Sequence, residues 1–262
     1  MNDMIEKIIE ELKEKTTKEY IKITAENTDE MTQFDSKLGG IPYIPDDFEY
    51  PYSRTNPQQP LKLLVQINFA DMPEIEEFKH LKGILQIYVN PDDDMYGWDY
   101  DNYTNQDNFR VIYHKDIDLN ADNTDKIPQI SCDDIYFPVE NEVRLAGRKE
   151  YDFMNAENES FIKIFCEIYN KYSDEKIESM YDLDEDICEK IYNEANYGHK
   201  LGGYADYTQG EDFDDEYSVQ LLQLDSDKNI MWGDSGIAHW FINSEKLKNL
   251  DFSDIRYLWD CC

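Results

Sequence analysis

Ser36-Lys37-Leu38-Gly39-Gly40-Ile41-Pro42 and His199-Lys200-Leu201-Gly202-Gly203 are the two stretches on which the reading of the fold turns. Paired glycines, followed in the first stretch by Pro42, forbid helix and impose a tight, irregular path. Each stretch precedes a strand that carries a glutamine in an apolar run, Leu64-Val65-Gln66-Ile67 and Leu221-Leu222-Gln223-Leu224. A third pair, Gly83-Ile84-Leu85-Gln86-Ile87-Tyr88-Val89 and Gly236-Ile237-Ala238-His239-Trp240-Phe241-Ile242, keeps the order. The separation drifts only from 163 residues (Ser36 to His199) to 153 (Gly83 to Gly236), as small loop deletions would produce. The sequence therefore predicts an α+β fold: two β-rich, mainly antiparallel halves related by internal duplication, at about 19–140 and 197–262 of a single domain 1–262.

Outward from these stretches, Ile5, Ile8, Ile9 and Leu12 repeat at helical spacing behind Asn2 or Asp3, so an N-terminal helix is expected. Ile21, Ile23 and Ala25 alternate with polar residues and predict a strand over 19–26. β-branched and aromatic residues predict strands at 61–68, 83–90 and 109–114, with a polar surface loop over 91–106. A helical segment at about 155–196 joins the halves. Phe161, Ile164, Phe165 and Ile168 form one stripe; Leu183, Ile187, Ile191 and Ala195 form another, with four carboxylates in its first turn. Further strands are expected at 134–139, 217–224, 230–232, 236–242 and 255–259.

Composition narrows the function. The 262 residues include 58 acidic and 25 basic side chains, a net charge of −33. Such a charge repels nucleic acid and anionic membrane, and it attracts a basic protein, a cationic ligand or a divalent metal. Forty per cent hydrophobic residues and 20 Tyr, 12 Phe and 4 Trp are enough to fill a core. No run approaches the ~18–20 apolar residues of a membrane span. The first residues, Met-Asn-Asp-Met-Ile-Glu, are not a secretory signal, and the expected location is the cytoplasm. Cys132, Cys166, Cys188, Cys261 and Cys262 contain no Cys-x-x-Cys pair and read as reduced thiols.

Several of these motifs together resemble the YwqG-like family of bacterial proteins, a domain of unknown function. They are Ser36-Lys37-Leu38-Gly39-Gly40-x-Pro42, 64–73 from Leu64-Val65-Gln66 to Asp71-Met72-Pro73, Lys82-Gly83-Ile84-Leu85-Gln86, Phe109-Arg110-Val111-Ile112-Tyr113, Tyr136-Phe137-Pro138-Val139-Glu140, His199-Lys200-Leu201-Gly202-Gly203-Tyr204 and Trp232-Gly233-Asp234-Ser235-Gly236. The resemblance covers nearly the whole chain. It implies an α+β fold around antiparallel sheet and a cytoplasmic bacterial protein, and it brings no activity, cofactor or site residues. Ala205 stands where the family pattern has a proline, which is expected to loosen the second glycine loop.

No catalytic set emerges. Ser235 and His239 would lie ~13 Å apart along one strand face, too far for a nucleophile and its base, and 232–236 reads as a turn. Asp92-Asp93-Asp94 and Asp225-Ser226-Asp227 each lack the remaining calcium ligands, and the four histidines have no metal-binding spacing. No metal or cofactor is expected. Two functions remain. In the first, a non-catalytic protein engages a basic protein partner through Asp212, Asp214, Asp215 and Glu216; an immunity or antitoxin-like role is one version. In the second, an enzyme or small-ligand binder uses a cleft between the halves, lined by Lys37, Gln66, Lys200 and Gln223.

Overall fold

The computed structural model describes residues 2–26, 28, 30–130, 136–156, 158, 160–192, 196–210 and 214–261. Ile5, Ile8, Ile9 and Leu12 form the buried stripe of helix α1 (Asn2–Thr16). That stripe packs on Phe161, Phe165 and Ile168 of α2 (Phe161–Tyr172) and Ile191 of α3 (Glu185–Tyr192) in one apolar layer. The expected N-terminal and central helices are thus partners.

Among the described residues ten strands follow a different plan from the expected one. They are β1 (Lys18–Glu26), β2 (Lys37–Leu38), β3 (Lys62–Asn68), β4 (Ile84–Val89), β5 (Phe109–His114), β6 (Val143–Asp152), β7 (Lys200–Gly202), β8 (Val219–Asp225), β9 (Ile237–Ile242) and β10 (Ile255–Asp260). Their order in a single antiparallel sheet is β10-β9-β8-β7-β1-β6-β2-β3-β4-β5. The sheet curls into a nearly closed barrel. Phe109 of β5 and Tyr257 of β10 approach to 5.0 Å between ring centres across the remaining gap.

This arrangement corrects the expectation of two duplicated halves at 19–140 and 197–262. The middle of the sheet is β1 against β6, in continuous register from Lys18↔Asp152 to Glu26↔Arg144, and β6 lies outside both proposed halves. β1 is also bonded directly to β7, so strands from the two ends of the chain are neighbours. One interior holds Ile21, Leu38, Val65, Ile87, Leu145, Leu201, Leu224, Trp240 and Tyr257 together. The fold is sheet-dominated, with few helices.

Alternation along the strands sends one set of side chains into that interior. The other set would face water in an open sheet, but here connecting segments cover it, so β4 and β9 are buried on both faces. This cover explains why polar residues such as Gln66, Gln86 and Gln223 are fully buried. Of the expected strand at 230–232, only Ile230 pairs, in an isolated bridge with Val139. Residues 134 and 135 of the expected strand 134–139 lie outside the described residues. Α-helix α4 (Ser244–Lys248) precedes β10.

Candidate functional site

The two Lys-Leu-Gly-Gly segments share a local geometry within the single sheet. Lys37 lies opposite Gln66, and Lys200 lies opposite Gln223. Gly39, Gly40, Gly202 and Gly203 all take positive φ, from 61° to 76°, which glycine alone adopts without strain. The second glycine of each pair also seats a carboxylate. A Cβ on Gly40 would overlap the Glu142 carboxylate, and one on Gly203 would come 2.8 Å from Asp152 Oδ2.

The lysines differ in what surrounds them. Lys200 is 1 % exposed, and its Nζ lies 2.8 Å from Asp206 Oδ2 and 3.3 Å from Asp152 Oδ2. It also donates to the carbonyls of Asn196 and Tyr204. Burial raises the Asp206 pKa above the usual carboxylate value, with Lys200 acting in the opposite sense. Asn155 and Gln223 donate to the same carboxylate. The cluster is closed and internally satisfied.

Lys37 is equally buried, but among the described residues its Nζ donates only to Thr32 O, at 2.8 Å. Among the described residues no carboxylate comes within 4.0 Å of it. Burial pulls its pKa down to about 8, against the opposing fields of Glu142 and Asp35. Lys37 borders a hollow of about 300 Å³ with Met31, Gln33, Phe34, Ile41 and Glu142.

The four residues expected around one cleft therefore occupy two places. β1 and β6 separate β2 from β7, roughly 14 Å at ~4.8 Å per strand step. Both glutamines are consumed by structure. Gln66 donates to the carbonyls of Gln33 and Asp35 and accepts from Tyr43 N and Gln86 Nε2. Gln223 donates to Gly198 O and Asp206 Oδ2 and accepts from Asp206 N. Of these four, Lys37 alone keeps unused hydrogen-bonding capacity among the described residues.

Among the described residues, the acidic ones expected to engage a partner lie near the chain's 91–106 loop. Asp212 lies outside the described residues. Asp215 and Glu216 are exposed in a short 3₁₀ turn, Asp215–Tyr217, which Asp214 caps by accepting from Glu216 N. Asp214 Oδ2 lies 4.0 Å from Arg256 Nε, and the Arg256 guanidinium sits 4.8 Å above the Tyr103 ring. That contact brings the segment beside the 91–106 loop. There Tyr100, between Asp99 and Asp101, is 70 % exposed. The loop is held by ring contacts from Trp98 and Tyr96 to Trp259, and by Asn105 donating to Asp99. No sequence signal joined these two segments, because Arg256 is distant in the chain from both Tyr103 and Asp214.

The acidic turns read as failed calcium loops have local structural partners. Asp93 accepts from Met95 N and Gly97 N, and Asp227 from Asn229 N and Ile230 N. Among the described residues no helix is long and apolar enough to cross a membrane.

With this geometry in view, the chain is placed by comparison. It belongs to the family described as Domain of unknown function (DUF1963), whose model matches residues 36–261. No curated protein matches it.

Proposed function

We propose that this member of the family is a YwqG-like, cytoplasmic binding protein without catalytic activity, whose acidic surface engages a basic protein partner, as an immunity or antitoxin-like protein does. The observation that carries this reading is Tyr100, 70 % exposed between two aspartates on an anchored loop. Carboxylates alone are explained by solubility. A large aromatic left in water among them is the composition of an interface, where tyrosine supplies contact area and carboxylates supply steering. The exposed Asp215 and Glu216 extend the same face through Arg256 and Tyr103.

The balance of charge supports it. Lys79, Lys82, Lys149, Lys171, Lys246 and Lys248 are each committed to an ion pair, and Lys37 and Lys200 are buried. These eight of the 25 basic side chains are thus held within the fold, and the net charge stays at −33. Capture of soluble bacterial proteins on the immobilised chain at low salt, followed by competition with Tyr100→Ala protein, tests the proposal. A basic, saturable partner whose affinity falls about tenfold or more for the variant supports it. An acidic partner, or binding indifferent to Tyr100, overturns it.

A further inference from the structure

We propose that the hollow over Lys37 binds an apolar α-amino acid, with the ligand carboxylate on the Lys37 ammonium and its amino group toward Glu142. Lys200 shows what a buried ammonium at this register position requires: two carboxylates and two carbonyls lie around it. Lys37 has the same strand position and the same burial, yet among the described residues only the Thr32 carbonyl. An ammonium has three N–H donors, and burying two of them without acceptors is costly unless something supplies acceptors. The missing component is a carboxylate, and among the described residues none provides it: Glu142, folded over Gly40, stays beyond ion-pair distance.

The rest of the hollow defines the remainder of the ligand. Gln33, whose amide also donates to Ala121 O, lines the hollow beside Phe34. Glu142 at the rim is exposed and favours a positive charge there. Met31, Phe34 and Ile41 give an apolar wall, and Ile41 is 52 % exposed in the absence of a cover. Carboxylate, ammonium and apolar body within about 300 Å³ describe a small apolar amino acid. Gln66 is a positioning residue here, since it holds the carbonyls of Gln33 and Asp35 and so fixes the segment above the hollow.

The test is calorimetric titration of the full chain with L-leucine, with leucinamide, which lacks the carboxylate, and with 4-methylpentanoate, which lacks the amino group. Leucine should bind at least about tenfold more tightly than either analogue, because each analogue loses a charge-assisted contact. Lys37→Met should abolish leucine binding while the protein stays folded by circular dichroism. Glu142→Gln, a change at an exposed rim position, should weaken leucine and leave 4-methylpentanoate unaffected. No heat with leucine at millimolar concentration, equal binding by Lys37→Met, or equal binding of leucine and 4-methylpentanoate would each overturn the assignment. None of these outcomes bears on the Tyr100 face, so the two proposals stand or fall separately.

Discussion

Lys37 and Lys200 face the same kind of neighbour across the sheet, yet their replacement should have opposite effects. The ordinary lysine pKa is 10.5, and in the folded chain that of Lys37 is about 8. The unfolded chain keeps the proton up to the higher value, so stability is lost as pH falls from 10.5 to 8 and the full penalty stands at neutral pH. A displacement of this size corresponds to about 3 kcal/mol, which Lys37→Met should recover in urea unfolding at pH 7. Lys200→Met should instead destabilise by about 3–5 kcal/mol, because it strands Asp152 and Asp206 as uncompensated buried charges. His239 offers a second test. Its imidazole is fully buried, and burial, then Lys200 and Arg256, pull its pKa to about 3 from 6.5 against the smaller opposing effect of the Asp206 backbone. The folded state refuses a proton that the unfolded state accepts, so stability is lost as pH falls below 6.5. His239→Phe, which keeps the stacking on Tyr207 and Phe241, should therefore gain on the wild type by about 1.4 kcal/mol between pH 7.5 and 5.5. Equal pH dependence of the two proteins would contradict a neutral, buried imidazole. The lysines were legible as singular residues in the sequence, but their difference was not. Asp152 comes from the end of β6 and Asp206 from the loop after β7, and no spacing announces that they converge.

β1 and β6 form the spine of the barrel, and the sequence revealed one of them. β1 shows alternation through Ile21 and Ile23, and β3, β4, β8 and β9 are mostly apolar runs, broken by glutamines and His239, because both faces are covered. β6 has only Val143 and Leu145 as large inward apolar residues before Gly147, and then Arg148 and Lys149 in exposed positions and Glu150 half-buried. It carries no periodic signal, yet it is the longest strand. Without it, repeated motifs at the two ends read as two halves. Gly147 is needed for packing: a Cβ there would overlap the Met72 sulfur and come 2.7 Å from Ile21 Cγ2. Gly147→Ala should thus destabilise by about 1–3 kcal/mol through overpacking, and Ile21→Ala by about 2–5 kcal/mol through a cavity. Both variants should still melt in one step, followed alike by tryptophan fluorescence and far-ultraviolet dichroism, because β1 links the two ends of the sheet. Separate transitions by the two probes would contradict the single barrel.

Across the whole molecule the net charge of −33 sets the long-range field, and the composition displayed it without any structure. The sequence also picked out Asp214, Asp215 and Glu216, but not Tyr100, whose exposure depends on how Trp98 and Tyr96 anchor the 91–106 loop. Charge should govern how fast a partner arrives, and the aromatic how long it stays. The measurement that bears most directly on the account is the association rate of the captured basic partner, at about 0.01 M and about 0.1 M salt, for wild type and for Asp214→Asn/Asp215→Asn/Glu216→Gln protein. Between those salts the Debye length shrinks from about 30 Å to about 10 Å. The account predicts a steep fall in the wild-type rate, a smaller fall for the triple variant, and little change in dissociation or in unfolding midpoint. An association rate that ignores salt, or a triple variant that associates as fast as wild type at low salt, would contradict it.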